Sequence, residues 1–231
     1  MRRALLSLSL LALTIPAFAG NRDDYTERSS YVQPLSANGR LLVHNGIGDI
    51  KIHASDRNDV RITAIRRAHG MSDSEAASRI KDLDVRVDHS PNEVRVTGSR
   101  EHRSYTFFGV NGLSLDFEIE VPRTAHIDVT NNIGDIHIDG AAADVDVHEN
   151  IGDVVVNYQS GARPRTARLE VNIGEVRTNL HGEERGFLGK KFTAMQEGEH
   201  SVNVKLNIGD ISVHTDGSND DKKKSRKPVD L

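Results

Sequence analysis

The sequence contains no cysteine and no tryptophan, and aromatic residues make up only 4% of its 231 positions. Without cysteine, no disulfide can staple the fold and no lipidated cysteine can tether the chain to a membrane. Stability must therefore come from burial and hydrogen bonding. The scarcity of aromatic residues leaves the core to aliphatic side chains, and the abundance of valine and isoleucine favours β-strands around a narrow core.

The chain also lacks a strong excess of charge of either sign. Its formal net charge is -4 at pH 7. Cleavage of a signal peptide that carries Arg2 and Arg3 would change this charge to -6. A protein that binds nucleic acid is expected to show a clustered basic face, so we expect no nucleic acid among the partners.

The N-terminal residues predict a secretory signal peptide over residues 1–19. Two arginines precede an apolar run at residues 4–15, and Ala-Phe-Ala at residues 17–19 provides a small-x-small cleavage site. A membrane anchor, the alternative, would need about 20 apolar residues, and this run is shorter. We therefore expect an exported protein, periplasmic or extracellular, with no membrane span after signal cleavage.

The remaining chain divides into three regions of different composition. We predict a polar lead-in over residues 20–39, one β domain over residues 40–214 and a disordered basic tail over residues 215–231. The tail carries five Lys or Arg residues between positions 222 and 227, and we interpret it as a solvated end, with contact to an acidic surface as the alternative. A capping box at residues 72–75 predicts a helical insertion over about residues 72–83.

One five-residue pattern, Asn-Ile-Gly-Asp-Ile, organises the β domain. It recurs with small changes at residues 132–136, 150–154, 172–176 and 207–211, and an earlier copy at residues 46–50 begins with glycine. Apolar residues stand, with few exceptions, four and six positions before each motif isoleucine and three and five positions after it. Both flanks thus alternate with the period of half-buried strands, and each motif is predicted to be a corner between two strands.

The residue types of the motif suit a corner. Glycine permits a positive φ, and the Asn and Asp side chains can bond to nearby backbone N–H groups. We therefore predict structural roles and no catalytic residue. The predicted corner residues are Gly48, Asp49, Asn132, Gly134, Asp135, Asn150, Gly152, Asp153, Asn172, Gly174, Glu175, Asn207, Gly209 and Asp210.

Together with the export signal, the early strand pair, the helical insert and a strand that ends at Val121-Pro122, these corners resemble the bacterial putative-adhesin β-solenoid family. The resemblance covers residues 41–213 and implies a secreted or cell-envelope β-strand repeat protein. We predict an all-β fold: a single-stranded β-solenoid of stacked short strands with one small helical insertion. An antiparallel β meander, in which each motif is a hairpin turn, is the alternative. Recurrence of whole corners in register favours stacking.

Stacked corners would bring five acidic residues to one edge, at a spacing of about 4.8 Å. At that spacing neighbouring charges repel by about 0.8 kcal/mol even in water. A row of Ca²⁺ ions could offset the repulsion, or each carboxylate could accept backbone N–H bonds at its own turn. Calcium-binding β-rolls carry denser Gly-Gly-x-Gly-x-Asp runs, which are absent here, so we expect no metal and no cofactor.

Other chemical motifs are missing. The sequence has no His-Glu-x-x-His pair, no phosphate-binding loop and no Gly-x-Ser-x-Gly elbow. We therefore predict a non-enzymatic putative adhesin or scaffold whose partner is an unknown envelope protein or glycan. A carbohydrate-active enzyme with paired carboxylates on one face is the alternative. The patch at residues 105–108 (Tyr-Thr-Phe-Phe) is predicted to cap one end of the stack or to contact a partner.

Overall fold

A computed structural model of the chain describes residues 24–69, 73–100, 112–187 and 189–215. These residues form an all-β protein with two mixed sheets and one short helix. Within them, no helix has the length and apolar character needed to cross a membrane. The predicted signal peptide, the patch at residues 105–108 and the basic block at residues 222–227 lie outside the described residues.

The first sheet has eight strands. They are β1 (Asp24–Pro34), β3 (Ile50–Ser55), β4 (Asp59–His69), β7 (Leu113–Pro122), β9 (Ile136–Ala141), β11 (Val154–Tyr158), β13 (Val176–Thr178) and β17 (Ile211–Thr215). Their spatial order is β1-β4-β7-β3-β9-β11-β17-β13. The pairs β1–β4 and β4–β7 are antiparallel, and all other neighbours in this sheet are parallel.

The second sheet has nine strands. They are β2 (Arg40–His44), β5 (Leu83–Ser90), β6 (Glu93–Arg100), β8 (His126–Ile133), β10 (Val145–Ile151), β12 (Pro164–Ile173), β14 (Glu183–Arg185), β15 (Lys190–Met195) and β16 (His200–Ile208). Their spatial order is β14-β15-β12-β16-β10-β8-β2-β6-β5. Antiparallel pairs occur only at the two ends of this order, while the six central strands run parallel.

Both sheets contribute to one hydrophobic cluster. On β8, Ile127 and Val129 are fully buried and alternate with half-exposed residues, and on β9 Ile136 and Ile138 do the same. This confirms the predicted period of two. Full burial of a Val or Ile side chain contributes roughly 1.5–3 kcal/mol. The stacked aliphatic rows therefore stabilise a fold that has no disulfide.

The five motif corners stack in register, because each corner joins a parallel strand of the second sheet to a parallel strand of the first. Their order in space is 46–50, 132–136, 150–154, 207–211 and 172–176. The last two corners are therefore exchanged relative to their order in the chain. A solenoid, whose turns would follow one another along the chain, is not shown, and neither sheet closes. The antiparallel meander is not the arrangement of the corner strands either.

The exchange of the last two corners has a local cause. The segment around residues 182–198 contains β14 and β15, and β15 pairs antiparallel with one edge of β12. The following strand, β16, pairs with the other edge of β12 and also with β10. Because the hairpin occupies the outer edge of β12, the final corner enters the stack between its two predecessors.

Two further segments add to the core. The helix α1 spans Asp73–Arg79 and continues as a 3₁₀ turn over Ile80–Asp82, within the range that the capping box predicts. Ala76, Ile80 and Leu83 are buried in the main cluster. The lead-in contributes β1, a strand that the sequence analysis does not anticipate because its polar residues lie on an edge strand of the first sheet.

Candidate functional site

The motif glycines are required by both their backbone and their neighbours. Their φ angles lie between +134° and +146°, a region that side chains with a Cβ rarely adopt. A Cβ on Gly152 would also overlap the carbonyl oxygen of Gly134, and each of the other four glycines faces a carbonyl of the adjacent corner in the same way. The glycine of each copy therefore sets the turn and also lets the corners stack closely.

The motif acids form a continuous row of hydrogen bonds between corners. Each acid donates its backbone N–H to the carboxylate Oδ1 of the preceding corner: Asp49 to Asp116 (3.1 Å), Asp135 to Asp49 (3.0 Å), Asp153 to Asp135 (2.9 Å), Asp210 to Asp153 (2.9 Å) and Glu175 to Asp210 (3.0 Å). The carboxylates thus bond to backbone N–H groups, but to those of the next corner and not of their own turn. The prediction that each carboxylate bonds within its own turn was therefore wrong. Neighbouring corners are only one strand spacing apart, and a carboxylate side chain can reach across that distance.

The first member of the acid row, Asp116, was missed by the sequence analysis. It follows Leu115, where the other corners have glycine, so the five-residue pattern does not identify it. A signal exists in the register, because Ile50 pairs with Phe117, which places Asp116 beside Asp49. Burial raises the pKa of Asp116, while the backbone N–H of Asp49 and the guanidinium of Arg67 oppose this rise.

Arginines partly neutralise the first member of the acid row and the member next to its other end. Arg67 forms an ion pair with Asp116, and Arg177 Nη1 lies 2.9 Å from Asp210 Oδ2. Among the described residues, no group of three or more His, Cys, Asp or Glu side chains is arranged to hold a metal ion. These hydrogen bonds and the two arginines oppose the repulsion between the carboxylates, and they do so without a bound cation.

The motif asparagines form a second row. Asn150 Nδ2 donates to Asn132 Oδ1 at 3.1 Å, Asn207 Nδ2 to Asn150 Oδ1 at 3.0 Å and Asn172 Nδ2 to Asn207 Oδ1 at 2.9 Å. Their amides are thus bonded to one another along the outside of the corners. The structure therefore brings together all fourteen predicted corner residues as rows of Asn, Gly and acid that run along one edge of the stack.

The motif isoleucines form a third row, and their side chains face outward. We call this set the isoleucine row; it consists, in spatial order, of Ile47, Ile133, Ile151, Ile208 and Ile173. Ile151 and Ile208 are each 40% exposed and Ile173 is 61% exposed. With strands 4.7–4.9 Å apart, the row is about 19 Å long. It places aliphatic side chains beside the acid row on the surface.

Beneath the corners, three polar residues enter the core at equivalent positions, namely Asn45, Asn131 and Glu149. Asn131 Nδ2 donates to the carbonyl of Gly48 at 3.2 Å, and Glu149 Oε1 accepts the N–H groups of Asn150 and Ile151 at 3.0 and 3.2 Å. Burial raises the pKa of Glu149 to about 7, against the opposing hydrogen bonds. The repeat pattern does not predict this pair, since the other corners have Leu206 and Val171 at the same position.

Glu149 lines a surface cleft of about 340 Å³ together with Glu170, which raises the possibility of paired catalytic carboxylates. Glycoside hydrolysis needs two carboxyl groups that face the same bond, about 5–9.5 Å apart. Glu149 is buried on the core side of β10, whereas Glu170 lies on β12 in register with the exposed Lys205. The two carboxylates therefore belong to opposite faces of the sheet, and the cleft does not favour the glycan-cleaving alternative.

Comparisons with known proteins show what the chain is similar to. No protein-family model matches it, and no curated protein matches it. A putative cell adhesion protein from Clostridium sporogenes aligns with 82% of this chain and 100% of its own, at 11% identity and a TM-score of 0.49. A putative lipid binding protein from Parabacteroides distasonis aligns with 85% of this chain and 98% of its own, at 9% identity and a TM-score of 0.22.

At these TM-scores and identities, neither solved structure supports an inference about function, and no family assignment follows. The fold and the corners themselves define the class: an all-β protein of two mixed sheets joined through stacked Asn-Ile-Gly-Asp corners. The isoleucine row lies on the outer edge of those corners.

Proposed function

We propose that the chain is a non-enzymatic binding or scaffold protein of the cell envelope or exterior, and that it contacts its partner through the isoleucine row. The observation that carries the proposal is the exposure of aliphatic side chains in register, 40–61% for the three most exposed members. Single exposed apolar residues need no explanation, but contiguous ones mark interaction sites.

The neighbouring rows support this proposal. The Asn amides and the acid carboxylates bond along the stack, so the corner presents a preorganised surface. Preorganisation lowers the entropic cost of binding. In a solenoid-like stack each corner contacts only its neighbours. Such a stack would give the binding surface an elongated shape.

The chemistry of the edge indicates the kind of partner. Aliphatic side chains flanked by carboxylates fit a protein surface with apolar residues and a basic rim. Glycans, in contrast, are usually held by aromatic platforms and polar groups, and the described corners carry no aromatic side chain. Of the two predicted partner types, an envelope protein or a glycan, we therefore favour the protein.

The test is retention on isolated envelope fractions of the source organism. The triple variant Ile151→Asn, Ile208→Asn, Ile173→Asn removes the three most exposed members of the row, and Asn already occupies the positions beside it. We expect this variant to lose retention while its thermal unfolding stays cooperative. The matched control, Phe187→Asn with Met195→Asn, removes two apolar side chains that are 93% and 80% exposed elsewhere and should bind normally.

Unchanged retention of the triple variant would refute the proposal. Protease treatment of the envelope fraction should abolish retention if the partner is a protein. Retention that survives the protease but not glycan removal would assign a glycan partner instead. The export prediction is checked separately, by the N-terminal residue of the mature protein, which should be Gly20.

A further inference from the structure

Two oxygen atoms at the base of the corners have no hydrogen-bond donor. Among the described residues, Asn131 Oδ1 and Glu149 Oε2 are the buried side-chain atoms without a partner. Both residues are almost fully buried, at 4% and 5% exposure. They occupy paired positions on neighbouring strands, Asn131 on β8 and Glu149 on β10. A buried acceptor without a donor is costly, so this coincidence needs an explanation.

The remaining bonds of both side chains fix their orientation. Asn131 directs its Nδ2 to the carbonyl of Gly48, which can only accept, so the amide cannot be reversed without placing two acceptors together. Glu149 uses Oε1 for the N–H groups of Asn150 and Ile151. Each of the two orphan atoms lacks a hydrogen-bond donor. One proton shared by the two oxygens would satisfy both.

We propose that Glu149 carries this proton in mildly acidic solution and donates it from Oε2 to Asn131 Oδ1, and that its loss to solvent loosens the corner that holds Ile151. One hydrogen bond then satisfies both orphan atoms. The proposal rests on the proposed function in one respect: it makes partner binding at the isoleucine row weaker as the pH rises.

The charged groups around Glu149 agree with this assignment. Burial raises the pKa of Glu149 most strongly and outweighs the hydrogen bonds from Asn131, Ile151 and Asn150 that lower it, and the nearby Asp135 adds to the rise. His148, Lys205 and Glu170 line the cleft beside Glu149, but they belong to the outer face of the sheet. The position paired with Glu149 on β16 is the buried Leu206. No described basic residue replaces the missing donor.

Ionisation of Glu149 acts directly on the proposed binding surface. Its carboxyl group holds the backbone N–H of Ile151, a member of the isoleucine row. When the proton is lost, both buried oxygens lack a donor again, and the carboxylate is charged. Local opening that lets water reach the carboxylate then becomes easier, by roughly tenfold per pH unit above the pKa.

Infrared difference spectroscopy tests the protonation state in the full-length protein. At pH 6 the wild type should show a carbonyl band of a buried protonated carboxyl that Glu149→Gln lacks, and this band should vanish by pH 9. The variant Glu170→Gln should keep it, because Glu170 bonds to Lys191. Absence of the band at pH 6 would overturn the proposal in favour of an ionised carboxylate bridged by water.

Hydrogen exchange and binding test the consequence. Between pH 6 and pH 8.5 the protection of Ile151 N–H should fall in the wild type but stay constant in Glu149→Gln, whose amide supplies a permanent donor. Retention on the envelope fraction should follow the same pattern. Retention that depends on the isoleucine row yet is equal at both pH values would leave the proposed function standing and refute the pH coupling. A pH-dependent band without any such retention would refute only the proposed function.

Discussion

Replacement of Asp135 tests whether the acid row is a structural feature. Its Oδ1 accepts the N–H of Asp153 at 2.9 Å, and its own N–H donates to Asp49. A hydrogen bond to a charged acceptor contributes roughly 1.5–3 kcal/mol. In Asp135→Ala this bond is lost, but repulsion with the carboxylates of Asp49 and Asp153 is lost too, at about 0.8 kcal/mol for each neighbour in water.

The two contributions predict a net destabilisation of about 1 kcal/mol for Asp135→Ala. Asp135→Asn is the matched variant, because its amide Oδ1 can still accept the N–H of Asp153 while the charge disappears. We expect it to match the wild type within about 0.5 kcal/mol, since a neutral bond is weaker but repulsion is relieved. For a domain of this size, 1 kcal/mol corresponds to a shift of roughly 2–4 °C in Tm.

Urea unfolding followed by circular dichroism, at low and high salt, measures these differences. The wild type should gain stability from added salt, because salt screens the repulsion within the row, and Asp135→Asn should gain less. If Asp135→Asn is destabilised as much as Asp135→Ala, the carboxylate charge itself is needed, and the backbone-bond explanation of the row is wrong.

Three further predictions follow from the same contacts. Gly152→Ala should lower the free energy of unfolding by at least about 3 kcal/mol, because it combines strain at positive φ with overlap onto Gly134. The control Gly161→Ala has a positive φ but open space around it and should lower it by only about 1 kcal/mol. Equal losses of stability in the two variants would contradict the stacking argument. Calcium titration should leave the Tm unchanged, and a rise of several degrees that EDTA reverses would show a metal row. Burial raises the pKa of Glu149 from 4.5 to about 7. The contribution of Glu149 to stability is therefore fully present below about pH 4.5 and is lost as the pH rises from about 4.5 through 7. The lost stability is at most about 3 kcal/mol, or about 2 kcal/mol after allowance for solvent near the corner. Glu149→Gln should therefore match the wild type near pH 4.5 and exceed it at pH 8 in urea unfolding, and parallel pH profiles would refute the assignment even though the raised pKa of Asp116 gives both proteins a slope of the same sign.

Local pattern was sufficient to predict the corners and the strands that flank them. The alternation around each motif predicted which side chains face the core, because side chains of a strand point alternately to its two faces. The repeated glycine predicted a positive φ, and the structure has it at every copy.

The polar contacts of the site could be predicted less well. The pattern indicated that the acids bond to backbone N–H groups, but the donor of each bond lies on another corner, 18 to 86 residues away in the chain. Asp116 has no motif around it and joins the row only through the pairing of β7 with β3. The Asn131–Glu149 pair likewise depends on β8 and β10 being neighbours.

The sequence by itself determined that this chain is all-β, that five corners share one conformation and that those corners can stack in register. Only the tertiary structure decided the order in which they stack. The corners are chemically almost identical, so any order of neighbours would satisfy the same Asn, Gly and acid bonds, and the repeat carries no information about sequence of assembly. The hairpin of β14 and β15 resolves this degeneracy by occupying one edge of β12, which leaves the strand that follows only the other edge.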